Sequence, residues 1–236
     1  MSISSINPKE IAHFTKDSAH WWDEAGPFAI LHRLGPLRMR YIKDRIEAHF
    51  GKPPKDLKIL DIGCGGGLVC EPLARMGAKV TGIDADTQAV SVATEHAKKQ
   101  DLKIDYLCSS IENHKGKYDV VLALEIIEHV ADLRGFIDAA IKLCKPKGLL
   151  IFSTLNRTPK SFALGIVAAE YILRWVPRGT HNWKQFLRPS ELAALLRDCN
   201  CEAMDIKGYK FRPLSNEFEM SDKDMSVNYF LSARKT

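Results

Sequence analysis

The feature that most constrains the fold is a glycine-rich segment at residues 60–67, with the sequence Leu-Asp-Ile-Gly-Cys-Gly-Gly-Gly. An apolar run precedes it, a helical pattern follows it, and the next apolar run, 80–83, ends in Asp84. A buried strand that enters a glycine turn brings bare backbone N–H groups and a helix N-terminus against a ligand. An acid at the end of the next strand can bind both hydroxyls of a ribose. The segment therefore predicts a nucleoside-cofactor site on an α/β sheet.

The details of the turn indicate which nucleoside cofactor it binds. A dinucleotide fingerprint G-x-G-x-x-G that begins at Gly63 would need a glycine where the chain has Leu68. The carboxylate of Asp61 would repel a pyrophosphate but suits the ammonium of an amino acid. S-adenosylmethionine (SAM) carries a ribose, a sulfonium and a zwitterionic tail, and no phosphate. We therefore expect a SAM site that includes Asp61, Gly63, Gly65 and Asp84, and a glycine turn without a SAM site is the alternative.

The composition fits one domain that spans residues 1–236. The chain has 236 residues, 45% of them hydrophobic, and a formal net charge of +5 without the long Lys/Arg tracts expected of a nucleic-acid binder. Residues 1–14 lack the apolar segment of a secretory signal, and no run of about 20 apolar residues occurs. The sequence therefore predicts a cytoplasmic protein. The six cysteines lack CxxC spacing, which favours reduced thiols in the core.

Strand and helix patterns alternate from residue 57 onwards, which indicates a parallel sheet covered by helices on both faces. The predicted strands are 58–62, 79–83, 104–107, 120–124 and 149–153. The predicted helices are 68–76, 87–99, 133–144 and 189–197. Two final strands, 201–210 and 227–234, complete a Rossmann-like, doubly wound sheet of seven strands, and we expect the last one to be antiparallel.

The N-terminal part of the chain is predicted to be a helical extension of the sheet domain. Residues 8–49 show an amphipathic helical pattern that Gly-Pro pairs interrupt at 26–27 and 35–36. We interpret residues 1–52 as a lid in which Trp21 and Trp22 cover the site, and anchoring of this helix in the core is the alternative role of both tryptophans. Arg38 can pair with the methionine carboxylate of SAM, although a surface arginine is the ordinary alternative.

Three polar residues, Glu125, Glu128 and His129, follow the apolar run 118–124 and therefore lie at the rim of the expected pocket. If a helical turn begins at Glu125, the i, i+3 and i+4 spacing puts all three side chains on one face. Two carboxylates and one imidazole can hold Mg²⁺, Mn²⁺ or Zn²⁺. Spacing alone favours a plainer alternative, a helix N-terminus with acids and a histidine bonded to the backbone. In a third interpretation His129 is the general base.

Residues 161–176 form an apolar stretch in which only Glu170 and Arg174 are charged. As a helix this stretch is too short to span a membrane, because sixteen residues at about 1.5 Å each give about 24 Å, against about 30 Å of hydrocarbon. The basic residues in and around this stretch are Arg157, Lys160, Arg174, Arg178, Lys184 and Arg188. The insertion 157–188 therefore predicts peripheral contact with an anionic membrane, and a helix that caps the acceptor pocket is the alternative.

With these motifs the chain resembles the bacterial ubiquinone-biosynthetic O-methyltransferases, the UbiG family of class I SAM-dependent methyltransferases, over nearly its whole length. The segments that carry the resemblance are Trp21-Trp22-Asp23, Leu31-His32-Arg33, Pro36-Leu37-Arg38, the glycine turn, residues 125–129, Ser153-Thr154-Leu155-Asn156-Arg157, Ala169-Glu170-Tyr171-Ile172-Leu173 and Gly179-Thr180-His181. The glycine turn belongs to a whole superfamily, whereas STLNR, AEYIL and GTH are far more specific. Asn182 departs from the family, in which an acid usually follows GTH.

The resemblance implies a set of functional residues and partners. It implies SAM contacts at Arg38, Gly63, Asp84 and Leu124. It implies that the Mg²⁺ site of related enzymes maps onto Glu125, Glu128 and His129. The acceptors that it implies are polyprenyl phenols or catechols, namely 2-polyprenyl-6-hydroxyphenol and 3-demethylubiquinol. Because such acceptors are dissolved in the bilayer, we expect a peripheral position on the inner membrane, with an assembly of ubiquinone-biosynthetic proteins as a candidate partner.

The implied reaction needs an ionised hydroxyl at the acceptor. A phenol with a pKa of about 10 is ionised to about one part in a thousand at pH 7, so forming the oxyanion costs about 4 kcal/mol. A metal on the three rim residues, or Glu128 and His129 as catalytic residues, would lower that cost. Another small-molecule methyltransferase and a non-catalytic SAM-binding scaffold are the other candidate functions. The Asn/Asp-Pro-Pro-Tyr/Phe motif of many nucleic-acid and protein amino-methyltransferases is replaced here by residues 125–128.

Overall fold

A computed structural model describes residues 5, 11–12, 15–172, 175 and 179–236. Its centre is an eight-stranded sheet with the strand order β3-β2-β1-β4-β5-β8-β6-β7. The strands are β1 (Lys58–Ile62), β2 (Lys79–Asp84), β3 (Asp105–Cys108), β4 (Tyr118–Leu124), β5 (Cys144–Leu155), β6 (Cys201–Arg212), β7 (Glu217–Ser221) and β8 (Asn228–Lys235). Strands β1 to β5 pair in parallel, as the alternation of strands and helices predicts.

Helices cover both faces of this sheet. The longer ones are α1 (Ala29–Phe50), α2 (Cys70–Arg75), α3 (Thr87–Lys99), α4 (Leu133–Leu143) and α5 (Pro189–Asp198). Shorter helical segments are Ser18–His20, Pro159–Ser161 and Trp183–Gln185, and a π-helix, here called the insertion helix, spans Phe162–Ile172. One core cluster joins α4 and α5 to the sheet, and a second joins α1 and α2 to it. The apolar strands are therefore buried on both sides.

The C-terminal part of the sheet is antiparallel. Strand β8 enters between β5 and β6 and runs antiparallel to both, which confirms the predicted orientation of the last strand. The count of seven strands is wrong by one, because β7 forms a hairpin with β6 at the sheet edge. The sequence of β7, Glu-Phe-Glu-Met-Ser, is short and only partly buried, so its alternation is a weak signal without the partner strand.

Helix α1 continues through Gly35 and Pro36, where the sequence predicted an interruption of the helix. Pro36 removes one backbone donor, and a proline inside a helix costs about 3 kcal/mol. The buried side chains of Leu37, Tyr41 and Ile42 pack this helix on the sheet around the proline. We attribute the continuous helix to this burial, because the helix propensity of the sequence does not include the stabilisation that packing on the sheet provides.

Candidate functional site

A cavity of about 660 Å³ opens beyond the carboxyl ends of β1 and β4. The predicted site residues that line it are Arg38, Asp61, Gly63, Leu124, Glu125, Glu128 and His129. Trp21 and residues of the insertion helix also line it. Gly65 and Asp84 are not among the lining residues, but the backbone N–H of Gly65 in the glycine turn donates a hydrogen bond to the Asp84 carboxylate. The structure therefore gathers residues from distant parts of the sequence at one cavity.

Asp84 at the end of β2 fixes the shape of the glycine turn. The Gly65 N–H donates to Asp84 Oδ2 at 2.8 Å, and the Asp86 N–H donates to Oδ1 at 2.8 Å. Burial raises the pKa of Asp84, which the backbone donors partly offset. Gly63 and Gly65 have φ values of +73° and +51°, which side chains rarely adopt. The turn is therefore held by a carboxylate in the position expected for a ribose-binding acid.

Trp21 and Trp22 both contact the glycine turn. A Cβ atom on Gly65 would lie 2.4 Å from the Trp21 ring, and one on Gly66 would lie 2.3 Å from the Trp21 Cβ. The Trp22 indole donates from Nε1 to the Gly66 carbonyl oxygen at 3.0 Å and stacks on His96 with ring centroids 3.5 Å apart. These contacts bring the N-terminal segment onto the turn, where the lid prediction needs it.

We expect Gly65→Ala to lower the affinity for SAM at least about tenfold, because the new Cβ displaces Trp21 and the left-handed backbone becomes strained by about 1 kcal/mol or more. Isothermal titration with SAM and a thermal melt measure both effects. Gly51→Ala is the matched control, since Gly51 has a similar φ of +66° and open space around the added Cβ. Equal SAM affinity for the two variants would show that the contact with Trp21 is unimportant.

Arg38 presents an unsatisfied guanidinium to the cavity. Arg38 is 5% exposed, and within the described part of the chain its Nε and Nη2 atoms have no hydrogen-bond partner. Asp61 lies near it, and burial raises the pKa of Asp61 to about 7, while the Cys70 thiol donates to Oδ2 at 3.3 Å. A buried polar group without a partner is costly until a ligand supplies one. A cation and a carboxyl group side by side suit a zwitterionic amino acid.

The rim segment after β4 is a turn, so the expected helical face at 125–129 is wrong. Glu125 has a φ of +53°, outside the helical region, and α4 begins only at Leu133. The His129 N–H donates to the Ile126 carbonyl oxygen at 2.9 Å, which closes the turn. A left-handed residue breaks the i, i+3, i+4 geometry on which the prediction depended.

Each rim carboxylate bonds to a different strand. The Tyr209 hydroxyl of β6 donates to Glu125 Oε1 at 2.6 Å, and the Thr154 hydroxyl of β5 donates to Glu128 Oε2 at 2.8 Å. Among the described residues, Glu128 Oε1 has no partner. Burial and the nearby Glu125 raise the pKa of Glu128 to about 8. Glu128 therefore offers one unsatisfied carboxyl oxygen at the cavity.

The rim does not form the predicted metal-ligand set. Within the ranges that the structure describes, no group of three His, Cys, Asp or Glu side chains is arranged to hold a metal ion. Tyr209 and Thr154 hold the carboxylates of Glu125 and Glu128, and the turn replaces the expected helical face. These residues share the cavity with His129, but they do not fit a metal site as they stand.

Sequence reasoning missed three contributors to the site: Tyr209 and His181, which line the cavity, and the buried Thr154, which bonds to Glu128. Thr154 lies near the carboxyl end of β5, where ligands of such sheets bind, so its position carried a usable signal. Tyr209 and His181 come from a C-terminal strand and a loop, and only the folded topology brings them to the rim.

Comparison with known proteins places the chain among methyltransferases. A family model described as "Methyltransferase domain" matches residues 31–205. A protein of Rickettsia akari (strain Hartford) named ubiquinone biosynthesis O-methyltransferase is 47% identical over 231 residues, which cover 97% of this chain and 92% of the relative. A protein of the same name from Dinoroseobacter shibae is 47% identical over 237 residues, which cover 97% of this chain and 96% of the relative.

Solved structures share the fold at much lower sequence identity. Magnesium protoporphyrin IX methyltransferase ChlM from Synechocystis PCC 6803 with bound SAH superposes with a TM-score of 0.69 at 20% identity, covering 95% of this chain and 97% of that one. The plantazolicin methyltransferase BpumL in complex with SAH gives a TM-score of 0.68 at 19% identity, covering 97% and 95%. These similarities establish the fold that the sequence predicted.

Proposed function

Because the chain belongs to the ubiquinone biosynthesis O-methyltransferase family and is a SAM-dependent O-methyltransferase, we propose that it methylates a hydroxyl of 2-polyprenyl-6-hydroxyphenol and of 3-demethylubiquinol. One observation carries the proposal: the glycine turn and the acidic rim line the same cavity. The donor and the acceptor hydroxyl can therefore meet within it. The family membership argues against the two other candidate functions, a different small-molecule methyltransferase and a SAM-binding scaffold.

The proposed SAM site uses opposite charges for the two ends of the amino acid. Arg38 binds the methionine carboxylate, because its Nε and Nη2 atoms are buried and lack a partner among the described residues. Asp61 accepts hydrogen bonds from the ammonium group. Asp84 binds the ribose hydroxyls from the end of β2, beside the glycine turn. Leu124 at the end of β4 lines the cavity next to the donor. The turn at Gly63 lets the ligand approach the backbone.

The affinity for SAM should fall about fivefold between pH 7 and pH 6, where the amino group of SAM stays mostly protonated, since the ammonium binds ionised Asp61, whose pKa burial raises to about 7. Binding is strongest above that pKa and weakens as Asp61 becomes protonated below it. Titration calorimetry across this range measures the change. Asp61→Asn should bind weakly with a flat profile, and a flat profile for the unmodified protein would refute the assignment of Asp61.

The acceptor hydroxyl is proposed to lie beside Glu128 and His129. Glu128 Oε1, which lacks a partner in the described structure, can accept the hydroxyl hydrogen bond, and His129 lines the same part of the cavity. Positioned groups of this kind offset part of the about 4 kcal/mol needed to ionise the phenol. Methyl transfer from a sulfonium to an oxyanion cancels charge, so a cavity closed by Trp21 would favour the transition state.

The predicted Mg²⁺ site at the rim can be tested by removing divalent metal from the assay. Since Glu125, Glu128 and His129 do not form a ligand group, we derive no step of the reaction through Mg²⁺. An assay with EDTA, followed by restoration with Mg²⁺, answers the question directly. Unchanged turnover in EDTA would leave Glu128 and His129 as the predicted catalytic residues, and loss that Mg²⁺ restores would mean that the rim rearranges around a bound ion.

We also propose that the insertion helix docks on the inner membrane. Its outward side chains include Val167, Tyr171 and Ile172, the last of which is 69% exposed, whereas Gly165 and Ala168 line the cavity. None of the helices in the described ranges is long and apolar enough to cross a membrane. A helix with one face on the acceptor cavity and one face exposed could admit a bilayer-dissolved acceptor.

The electrostatic part of this docking is weaker than the sequence suggested. Arg157 forms an ion pair with Glu191, and Lys160 forms one with Asp224 at 3.0 Å. Arg174 and Arg178 lie outside the described residues. Two of the six predicted basic contacts are thus partly neutralised within the protein, and apolar burial carries more of the proposed interaction.

We expect Ile172→Glu to abolish most binding to liposomes, because a charge on the exposed apolar face opposes its burial. Co-sedimentation with neutral and anionic vesicles measures the effect. Met204→Glu is the matched control, since Met204 is an exposed apolar side chain on β6, outside the insertion. Failure of the unmodified protein to sediment with either vesicle would disprove docking.

The experiment that tests the proposed reaction is turnover of a short-chain prenyl catechol with SAM labelled in its methyl group. We expect the label to appear as an aryl methyl ether. Label on a ring carbon would favour another small-molecule methyltransferase, and SAM binding without any labelled product would favour the scaffold.

A further inference from the structure

An acid–histidine pair that the mechanism above does not use lies on the cavity wall. His181 Nδ1 is 3.0 Å from Glu170 Oε1, and His181 lines the cavity. Glu170 belongs to the insertion helix, yet it is 1% exposed in a segment whose neighbours are largely exposed. A buried carboxylate inside a lipid-facing helix is costly unless it has a specific set of partners.

Glu170 has such partners. Its Oε2 accepts the Gly179 N–H at 2.7 Å, and its Oε1 accepts the His181 backbone N–H at 2.9 Å in addition to the ring contact. Burial acts to raise the pKa of Glu170, but the hydrogen bonds from His181 and Gly179 outweigh it and hold that pKa below its usual value. Glu170 is therefore an ionised acceptor, and the proton between it and the ring resides on Nδ1.

The imidazole consequently has a defined tautomer. A neutral histidine whose Nδ1 carries the proton has its lone pair on Nε2. Ring contacts fix its orientation: the His181 ring centroid lies 5.9 Å from that of Phe186 in an edge-on contact and 5.8 Å from that of His129. A carboxylate, a correctly protonated histidine and a reacting hydroxyl form the arrangement by which a base is oriented in hydroxyl chemistry.

We propose that His181 is the general base of the methyl transfer and that Glu170 is its positioning residue. The inference rests on the proposed function, since it takes the acceptor to be a phenol or catechol. As the acceptor oxygen bonds to the methyl carbon, the carbon–sulfur bond breaks and its electron pair stays on sulfur, which becomes a neutral thioether. The hydroxyl proton passes to His181 Nε2, and the ionised Glu170 stabilises the resulting imidazolium.

This assignment gives the rim residues a complementary role. A catechol presents two adjacent hydroxyls, and the neighbouring rings of His129 and His181 face the same cavity. Glu128 and His129 hold the two adjacent hydroxyls in place, and His181 takes the proton of the one that is methylated.

The test compares two acceptors that differ in acidity. His181→Gln and Glu170→Gln are assayed with a short-chain prenyl catechol and with its nitro-substituted analogue, which is already ionised at the assay pH. For His181→Gln we expect kcat to fall about 100-fold or more on the catechol and only a few-fold on the ionised analogue, because that acceptor needs no base. Glu170→Gln should show the same pattern at about a tenth of that loss, with SAM affinity unchanged in both.

Matched controls are His49→Gln and Glu95→Gln, which alter a half-exposed histidine on α1 and an exposed glutamate on α3, both outside the cavity lining. If His181→Gln does not fold, as judged by its melt, His181→Asn replaces it. Equal losses of kcat on both acceptors would mean that His181 has a structural role, and no loss on the catechol would remove His181 from the reaction. Either outcome overturns the inference. Turnover of the catechol by the unmodified protein would still support the proposed function. Absence of turnover by the unmodified protein would overturn both.

Discussion

Replacing Asp84 with alanine should lower the affinity for SAM about 100-fold, since hydrogen bonds to a charged group contribute about 1.5–3 kcal/mol each. The variant loses both proposed ribose contacts. It also loses the carboxylate that accepts the Gly65 and Asp86 N–H groups at 2.8 Å, so the glycine turn itself loosens. Isothermal titration with SAM measures the change.

The control for this variant is Asp44→Ala, which removes an exposed carboxylate from α1, away from the turn. It should bind SAM as the unmodified protein does. Asp84→Asn separates the two contributions, because an amide oxygen can still accept one backbone donor while the charge is gone. An Asp84→Ala variant that binds SAM normally would show that the ribose lies elsewhere.

Replacing Glu128 with alanine should lower the rate of methyl transfer about 100-fold or more while SAM affinity changes little. Glu128 is 3% exposed, bonds to Thr154 and lines the cavity, and its buried Oε1 has no partner among the described residues. We propose that this oxygen binds the acceptor hydroxyl. Its loss therefore removes a contact to the acceptor and none to the donor. Labelled-methyl turnover and titration calorimetry are measured on the same preparation.

Glu128→Gln is the matched variant, because it retains an oxygen for the Thr154 hydroxyl and the volume of the side chain. Because the pKa of Glu128 is raised to about 8, its charge is present only above that pH, and there the glutamine variant should lose nearly as much turnover as the alanine variant. Full activity in Glu128→Ala would remove this residue from the proposed mechanism, and a parallel loss of SAM binding would indicate a collapsed cavity.

Most of the parallel sheet could be predicted from the sequence, because its central strands β1 and β4 are almost wholly buried and their apolar signal is local. Strand β1 and helix α3 have the predicted boundaries, 58–62 and 87–99. The proposed SAM-site residues Asp61, Gly63 and Asp84 also follow from local sequence patterns, since the strand ends in such a sheet meet at one edge. The prediction that Arg38 contacts SAM depended on the family resemblance as well.

The remaining features depend on partners distant in sequence. Strand β7 exists through its pairing with β6, and α1 passes through Pro36 because its buried face packs on the sheet. The rim was predicted as a helical face, but Glu125 adopts a left-handed conformation and bonds to Tyr209 from a C-terminal strand. No periodicity in residues 118–129 encodes that contact.

The most direct test of the account is a crystal structure of the protein with S-adenosylhomocysteine at saturating concentration. The account predicts the ribose hydroxyls on Asp84, the amino-acid ammonium by Asp61 and its carboxylate on Arg38, with the sulfur facing Glu128. A ligand bound elsewhere, or a glycine turn that remains empty at saturation, would contradict it.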